Sequence, residues 1–388
     1  MPNPSIKRYF SIALIMFLLS FVLMASSKWT NNLYYALIAL PGLVLLVYRR
    51  GAQVFSVPLT WGWVLFFAWL LIPALRAGEG QFYKHIVYTL LFLLILGGLV
   101  DVKLLRSGVF ARAMFWCVCL YIYACAAWIY FHGTVAFGAR VSLLLGRMDN
   151  VIYTSIWLVS SFALSLPAWT RGRLYLELFG ATLLSVVAVA FVLQTRTALV
   201  GCAFVAGVWA LYSLFRSPRT AIPIILGLLL SVSAVAWYVH DEAWAVSLVG
   251  RGDSSRIALF EIMTGEWRRC GWLLGCGVDF HTAQVLPNGE AIQHPHNIFV
   301  ATGLYFGGGA FVVFSALMAA SLWLAWKMRN PWGLYLSCSL LMLNFDGSKP
   351  VGNPDELWPL VLMPAGLILA DRVRRKLDQK VSPAPVDR

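Results

Sequence analysis

Apolar residues recur in blocks of about 14 to 24, separated by short polar breaks, along almost the whole chain. This is the pattern of membrane-crossing α-helices, each needing about 20 apolar residues to bridge a hydrocarbon core of roughly 30 Å. Twelve spans are predicted, at 9–26, 33–48, 58–75, 83–100, 108–131, 151–168, 174–193, 197–215, 221–239, 298–326, 332–344 and 357–370. No alternating ten-residue strand pattern is present, which sets a barrel aside. The first span lacks an obvious small-residue cleavage site and reads as an anchor, not a cleaved signal. The eleventh and twelfth are short. At 1.5 Å per residue they reach about 20 Å, which makes them candidates for half-helices sharing a re-entrant loop. The expected fold is therefore all-α and polytopic, a single integral membrane domain over 1–388 with a large loop at 240–297 and a tail at 371–388.

Composition narrows the class further. Of the 388 residues, 60% are apolar and 12% charged, against about 25% charged in a soluble domain. A soluble globular protein, a disordered chain and a small disulfide scaffold are excluded. One alternate set of breaks, with both termini, holds 19 of the 30 Lys and Arg residues, while the other holds 12 of the 17 acidic ones. The positive-inside rule then puts both termini in the cytoplasm. The net charge of +13 is mostly this inside charge facing an anionic leaflet, and no concentrated patch argues for nucleic acid. Cytoplasmic breaks are short and no P-loop motif occurs. Chemistry is expected on the outer face, at 240–297 and at a smaller loop, 132–150. Five of the seven cysteines lie in apolar spans as small hydrophobes. Cys270 and Cys276 share the outer loop, where an oxidising compartment permits a disulfide that spacing alone does not show.

Three outer-face stretches carry candidate chemistry. In "QTRTALVG", 194–201, Arg196 sits between two abutting spans with apolar residues on either side. A charge there is costly and points to function; the plain alternative is an arginine snorkelling to lipid phosphate. Thr195 and Thr197 flank it. In "GRGDSSRIALFEIMTGEWRR", 250–269, Asp253 or Ser254 can cap a helix starting near Arg256, with Ile257, Phe260, Met263 and Trp267 as its apolar face along the outer interface. Arginine at a helix N-terminus suits an anion, whereas Arg251, Arg268 and Arg269 read as solvated or lipid-facing charges. In "HPHNIFVATGLYFGGG", 294–309, His294 and His296 precede the tenth span. Two histidines without Asp, Glu or Cys at ligand spacing are a poor metal site, and Pro295 between them means the rings need not share a face. A boundary histidine can serve as general base or as a diphosphate donor. Gly303 and Gly307 form a GxxxG pair expected to pack helices closely. Arginine gives bidentate, permanently charged contacts to phosphate, so Arg196, Arg256 and His296 on one face suit a diphosphate. No DxD pair lies in an outer loop, and no cofactor is suggested.

At these residues the sequence resembles the O-antigen ligase family, related to O-antigen polymerases and bacterial O-oligosaccharyltransferases. The matching pieces are the arginine opening the eighth span in "QTRTALVG", the segment "SSRIALFE…WRRCGWLLGCGVDF" with its Gly-x-Gly turn, and "HPHNIFVATGLYFGGG". Together they cover about residues 190–326; the first 190 match mainly in hydropathy. The resemblance implies a GT-C-like, metal-independent glycosyltransferase that moves a glycan from undecaprenyl diphosphate to lipid A–core at the periplasmic face of the Gram-negative inner membrane. It puts the family's histidine on His296 and its two arginines on Arg196 and Arg256. His294, Asn297 and Arg147 are the candidate substrate-binding residues beside them. Arg196 and Arg256 would offset diphosphate charge, and His296 would be the base or a third diphosphate donor.

Rival functions differ in particular features. A polymerase would commonly show two substantial outer loops, and here the one at 132–150 is modest. A protein-glycosylating transferase would usually add a soluble outer portion. A lipid-linked sugar transporter would carry charge within several spans, whereas here the mid-span regions are almost bare of it. Oligomeric state does not follow from the sequence.

Overall fold

A computed structural model describes residues 3–24, 26–78, 80–133, 139–141, 146–216, 218–219, 222, 256–286, 289 and 291–381. Its long helices are α1 (Pro4–Leu23), α2 (Ser27–Val47), α3 (Pro58–Ala77), α4 (Gly80–Leu99), α5 (Gly108–Phe131) and α6 (Val151–Arg171). They are followed by α7 (Tyr175–Val192), α8 (Arg196–Arg216), α9 (Arg256–Cys270), α10 (Ile298–Met328), α11 (Trp332–Asp346) and α12 (Met363–Val381). Among the described residues nine helices, α1 to α8 and α10, are long and apolar enough to cross a membrane, and no strand is formed. The chain is an all-α polytopic membrane protein. The predicted ninth span, 221–239, lies outside the described residues, as do Arg251, Asp253 and Ser254.

Side-chain caps open several of the helices. Ser107, Asn150 and Asn297 each accept a backbone N–H of the first turn, opening α5, α6 and α10. Several boundaries differ from expectation: α1 already starts at Pro4, where Asn3 caps it, and two others differ further. The second span starts at Ser27, six residues before its predicted start, because Ser26 caps it and the helix runs on through a π turn at Tyr34–Ala39. The last helix continues to Val381, through most of the predicted tail. Hydropathy ends at Asp371, but that carboxylate is buried and pairs with Arg374 and Arg375 one turn on, so helix formation continues past the apolar block.

The two elements with short predicted spans occupy the interior. α11 packs against α6, α8 and α10, and at 15 residues it is about 22 Å long. A π turn, Trp358–Leu362, leads into α12, with Trp358 set against Phe17, Tyr34 and Phe92. Of the two, only α11 is a short helix: the π turn and α12 run on continuously from Trp358 to Val381, so the twelfth element is not the expected half-helix.

Charge collects at the two ends of the bundle. At one end Arg106 pairs with Asp371, and Arg112 with Glu177. The Asp101 backbone N–H donates to Ser11 Oγ at 2.8 Å, which ties the start of α1 to this end. The described chain therefore begins and finishes at the same end. The other end holds the start of α8, the start of α10 and the finish of α11.

Candidate functional site

Asp346, the last residue of α11, is the centre of a cluster drawn from four separate stretches of chain. Its carboxylate accepts from Arg256 Nη2 at 2.9 Å (Oδ1) and 2.7 Å (Oδ2), and from the Thr197 hydroxyl at 2.5 Å. His296 Nδ1 lies 3.2 Å from Oδ1. Arg256 Nη1 also donates to Thr197 Oγ1 at 3.3 Å. The carboxylate is buried, and a buried charge is tolerated only with a paired cation and satisfied lone pairs. This cluster supplies both.

Element ends bring these groups together. Thr197 lies in the first turn of α8 and Arg256 opens α9, so the positive ends of two helix dipoles converge beside the pair. His296 takes a left-handed backbone conformation, φ 51°, directly before the α10 cap. Asn297 Oδ1 accepts from the Phe299 and Val300 N–H groups, both at 3.0 Å, and its Nδ2 donates to the Asn344 carbonyl and side chain. The turn folds His294 back over His296, with ring centroids 4.0 Å apart and 31° between planes. The two rings do share a face despite Pro295, because the left-handed residue reverses the chain.

The histidine pair opens on a cavity of about 410 Å³ lined also by Leu259, Leu286, Ile292 and Gln293. Burial, then the neighbouring His296, push His294 down to about 4, against the pull of Asp346. His294 is therefore uncharged at neutral pH. His296 Nδ1 faces the Asp346 carboxylate, and in the neutral tautomer that donates this hydrogen bond the lone pair is on Nε2.

The α9 helix is held by part of the expected face, Met263 and Trp267, turned toward Leu259 and away from Ile257 and Phe260. Leu259, Met263, Glu266 and Trp267 are buried, while Ile257 and Phe260 are 65% and 50% exposed. Gly303 sets that rotation: a Cβ there would lie 2.1 Å from the Trp267 indole, so only glycine admits the ring. Gly307 does not pack one helix on another. Its φ of 86° breaks α10, and the neighbouring Gly308 N–H donates to the Trp272 and Leu273 carbonyls at 2.7 and 3.1 Å. Cys270 and Cys276 are disulfide-bonded across this loop, and Glu266 accepts from Arg269, Thr282 and Gln284 beneath it.

The predicted residues fall into distinct places. Arg256 and His296 meet at Asp346, with His294 stacked on the latter. Arg196 opens α8, half-buried and adjacent in sequence to Thr197. Asn297 is engaged in the cap and with Asn344, a scaffolding position. Arg147 is grouped electrostatically with Asp355 and Glu356, and its backbone N–H donates to Phe21 O at 3.0 Å. Burial and the neighbouring Glu356 raise the Asp355 carboxyl above its usual range, against Arg147. Asp346 and Asn344 were not anticipated. The one signal available was an acidic residue in "LNFDGSKP" at the end of an apolar block. Among the described residues no three His, Cys, Asp or Glu side chains are grouped as a metal site. The chain matches no family model and no curated protein.

Proposed function

We propose that this protein is a glycosyltransferase that moves a glycan from undecaprenyl diphosphate to a sugar hydroxyl of lipid A–core, without a metal ion, at the periplasmic face of a Gram-negative inner membrane. Both termini are then cytoplasmic. The observation that carries this reading is the contact of His296 with Asp346, shared by Arg256 and Thr197 at one end of a membrane-embedded bundle.

Asp346 holds His296 with Nε2 available, and Nε2 takes the proton of the acceptor hydroxyl as its oxygen bonds to the anomeric carbon. The bond from that carbon to the diphosphate oxygen breaks, and its electron pair stays on the diphosphate. Arg196, Arg256 and the helix N-termini offset the growing charge. Arg256 has five N–H donors, and its contacts to Asp346 and Thr197 leave some for a substrate oxygen. His294, neutral beside the cavity, adds a hydrogen-bonding group without adding a charge. Energy stored in the donor drives the reaction, so no nucleotide site is needed.

Purified protein supplied with undecaprenyl-diphosphate glycan and lipid A–core tests this directly. Glycan appearing on lipid A–core, unaffected by chelator, is the expected result. Donor chains that lengthen while lipid A–core stays bare would make it a polymerase, and inhibition rescued by a divalent metal would overturn the metal-free chemistry.

A further inference from the structure

The end of the bundle opposite Asp346 carries an excess of positive charge that its own carboxylate does not balance. Asp371, fully buried, is met by Arg106 Nη1 at 3.2 Å, Arg374 Nη2 at 3.1 Å and Arg375 Nε at 3.5 Å. Asn330 Nδ2 donates to the same carboxylate at 3.2 Å. Arg171, ending α6, is close enough to Arg106 to repel it.

Part of this charge has a structural task. Arg106 Nη2 donates to the Arg329 carbonyl at 2.9 Å and Arg375 Nη2 to the Met328 carbonyl at 2.7 Å, satisfying the C-terminal end of α10. That helix end counts for about half a negative charge. Three arginines set against one carboxylate and half a dipole charge leave more than one positive unit over, before Arg171 is counted. Arg374 Nη2 pairs with Asp371 Oδ1, and the α10 carbonyls are met by Arg106 and Arg375 instead. The three guanidinium side chains at Asp371 are 25%, 28% and 36% exposed, so they are reachable from outside.

We propose that this cluster binds the phosphate of an anionic membrane lipid, with Arg374 as the principal donor. Arginine suits a phosphate through its planar fork of donors and permanent charge. The lipid source is favoured over a free phosphate by what surrounds the charge. Val109, Tyr175 and Leu176 lie at the starts of α5 and α7, which the Arg112–Glu177 pair joins at this same end, and are 69%, 62% and 90% exposed. Such a surface takes acyl chains where the arginines take the headgroup.

The full-length protein in neutral detergent would be titrated with phosphatidylglycerol, with phosphatidylcholine of identical acyl chains, and with soluble glycerol 3-phosphate, reading bound lipid by native mass spectrometry. Phosphatidylglycerol should bind selectively, and less tightly as salt rises. Arg374→Gln should weaken it about fivefold, the effect of one basic residue at an anionic surface, and Arg374→Lys, which keeps the charge and loses the fork, should weaken it by less. If Arg374→Gln does not fold, Arg171→Gln on the exposed rim serves for the same comparison. Equal binding of the two lipids, or unchanged phosphatidylglycerol affinity in a folded Arg374→Gln protein, would overturn the site. Displacement of the lipid by equimolar glycerol 3-phosphate would overturn the lipid as its source.

Discussion

His296 and Asp346 form a dyad in which each residue explains the other. The buried carboxylate needs cationic and hydrogen-bonding partners, and in the proposed reaction the imidazole needs one nitrogen fixed so that the other can accept a proton. Asp346→Asn keeps the shape but lets the amide present its N–H to either His296 or Arg256. Transfer should fall at least about a hundredfold, within the range typical of general base loss. Stability should fall by about 1–3 kcal/mol, the cost of an imperfectly satisfied buried group. Kinetics and thermal unfolding of the same preparation separate the two effects. Arg256→Lys should lower transfer as well, since an ammonium cannot span Asp346 and Thr197 as the guanidinium does; near-normal activity would count against a geometric role.

His294 adds a pH dependence of stability. Its folded value, about 4, is below the ordinary 6.5, so below pH 6.5 the unfolded chain binds a proton that the folded chain resists. This contribution is complete above pH 6.5 and is lost as pH falls toward 4. Unfolding midpoints of wild type and His294→Gln measured from pH 7.5 to 4 should converge as pH falls, and parallel curves would contradict the buried neutral ring. Arg256 and the histidines, which the fold gathers at Asp346, stood out in sequence as an arginine at a helix N-terminus and as rings at a span boundary. Asp346 did not: its partners lie 149, 90 and 50 residues away, and only the fold brings them together.

At the scale of elements, hydropathy located α5, α6, α8 and α10 to within three residues at each end, because their apolar blocks stop where caps or charges begin. Periodicity could not decide which side of α9 faces inward, since Ile257 and Phe260 are as apolar as Leu259 and Met263. Gly303 decides it by making room for Trp267. Gly303→Ala should therefore force the indole out, at a cost of about 1–3 kcal/mol, typical of overpacking, and should carry Arg256 away from Asp346. Trp267→Ala in the same chain should relieve most of the added strain. A double-mutant cycle on thermal stability measures that coupling, and strictly additive effects would show that the contact does not set the rotation of α9. The kink at Gly307 was equally hidden, because a GxxxG spacing serves helix packing and helix breaking alike.

Across the whole molecule, the described chain starts and ends at one end of the bundle, where arginines gather, while the Asp346 cluster occupies the other. That polarity accords with basic residues staying in the cytoplasm and chemistry taking place outside. Reporters fused at either terminus should both be protected from a reagent confined to the periplasm, and a single labelled terminus would contradict the orientation. The most direct measurement is single-turnover glycan transfer from undecaprenyl diphosphate to lipid A–core by wild type and by His296→Ala, each shown to be folded. Transfer by wild type, lost at least about a hundredfold in the variant, is the predicted result. Equal transfer by both proteins would contradict a general base at His296, and no turnover of either lipid by folded wild type would contradict the proposed glycosyl transfer itself.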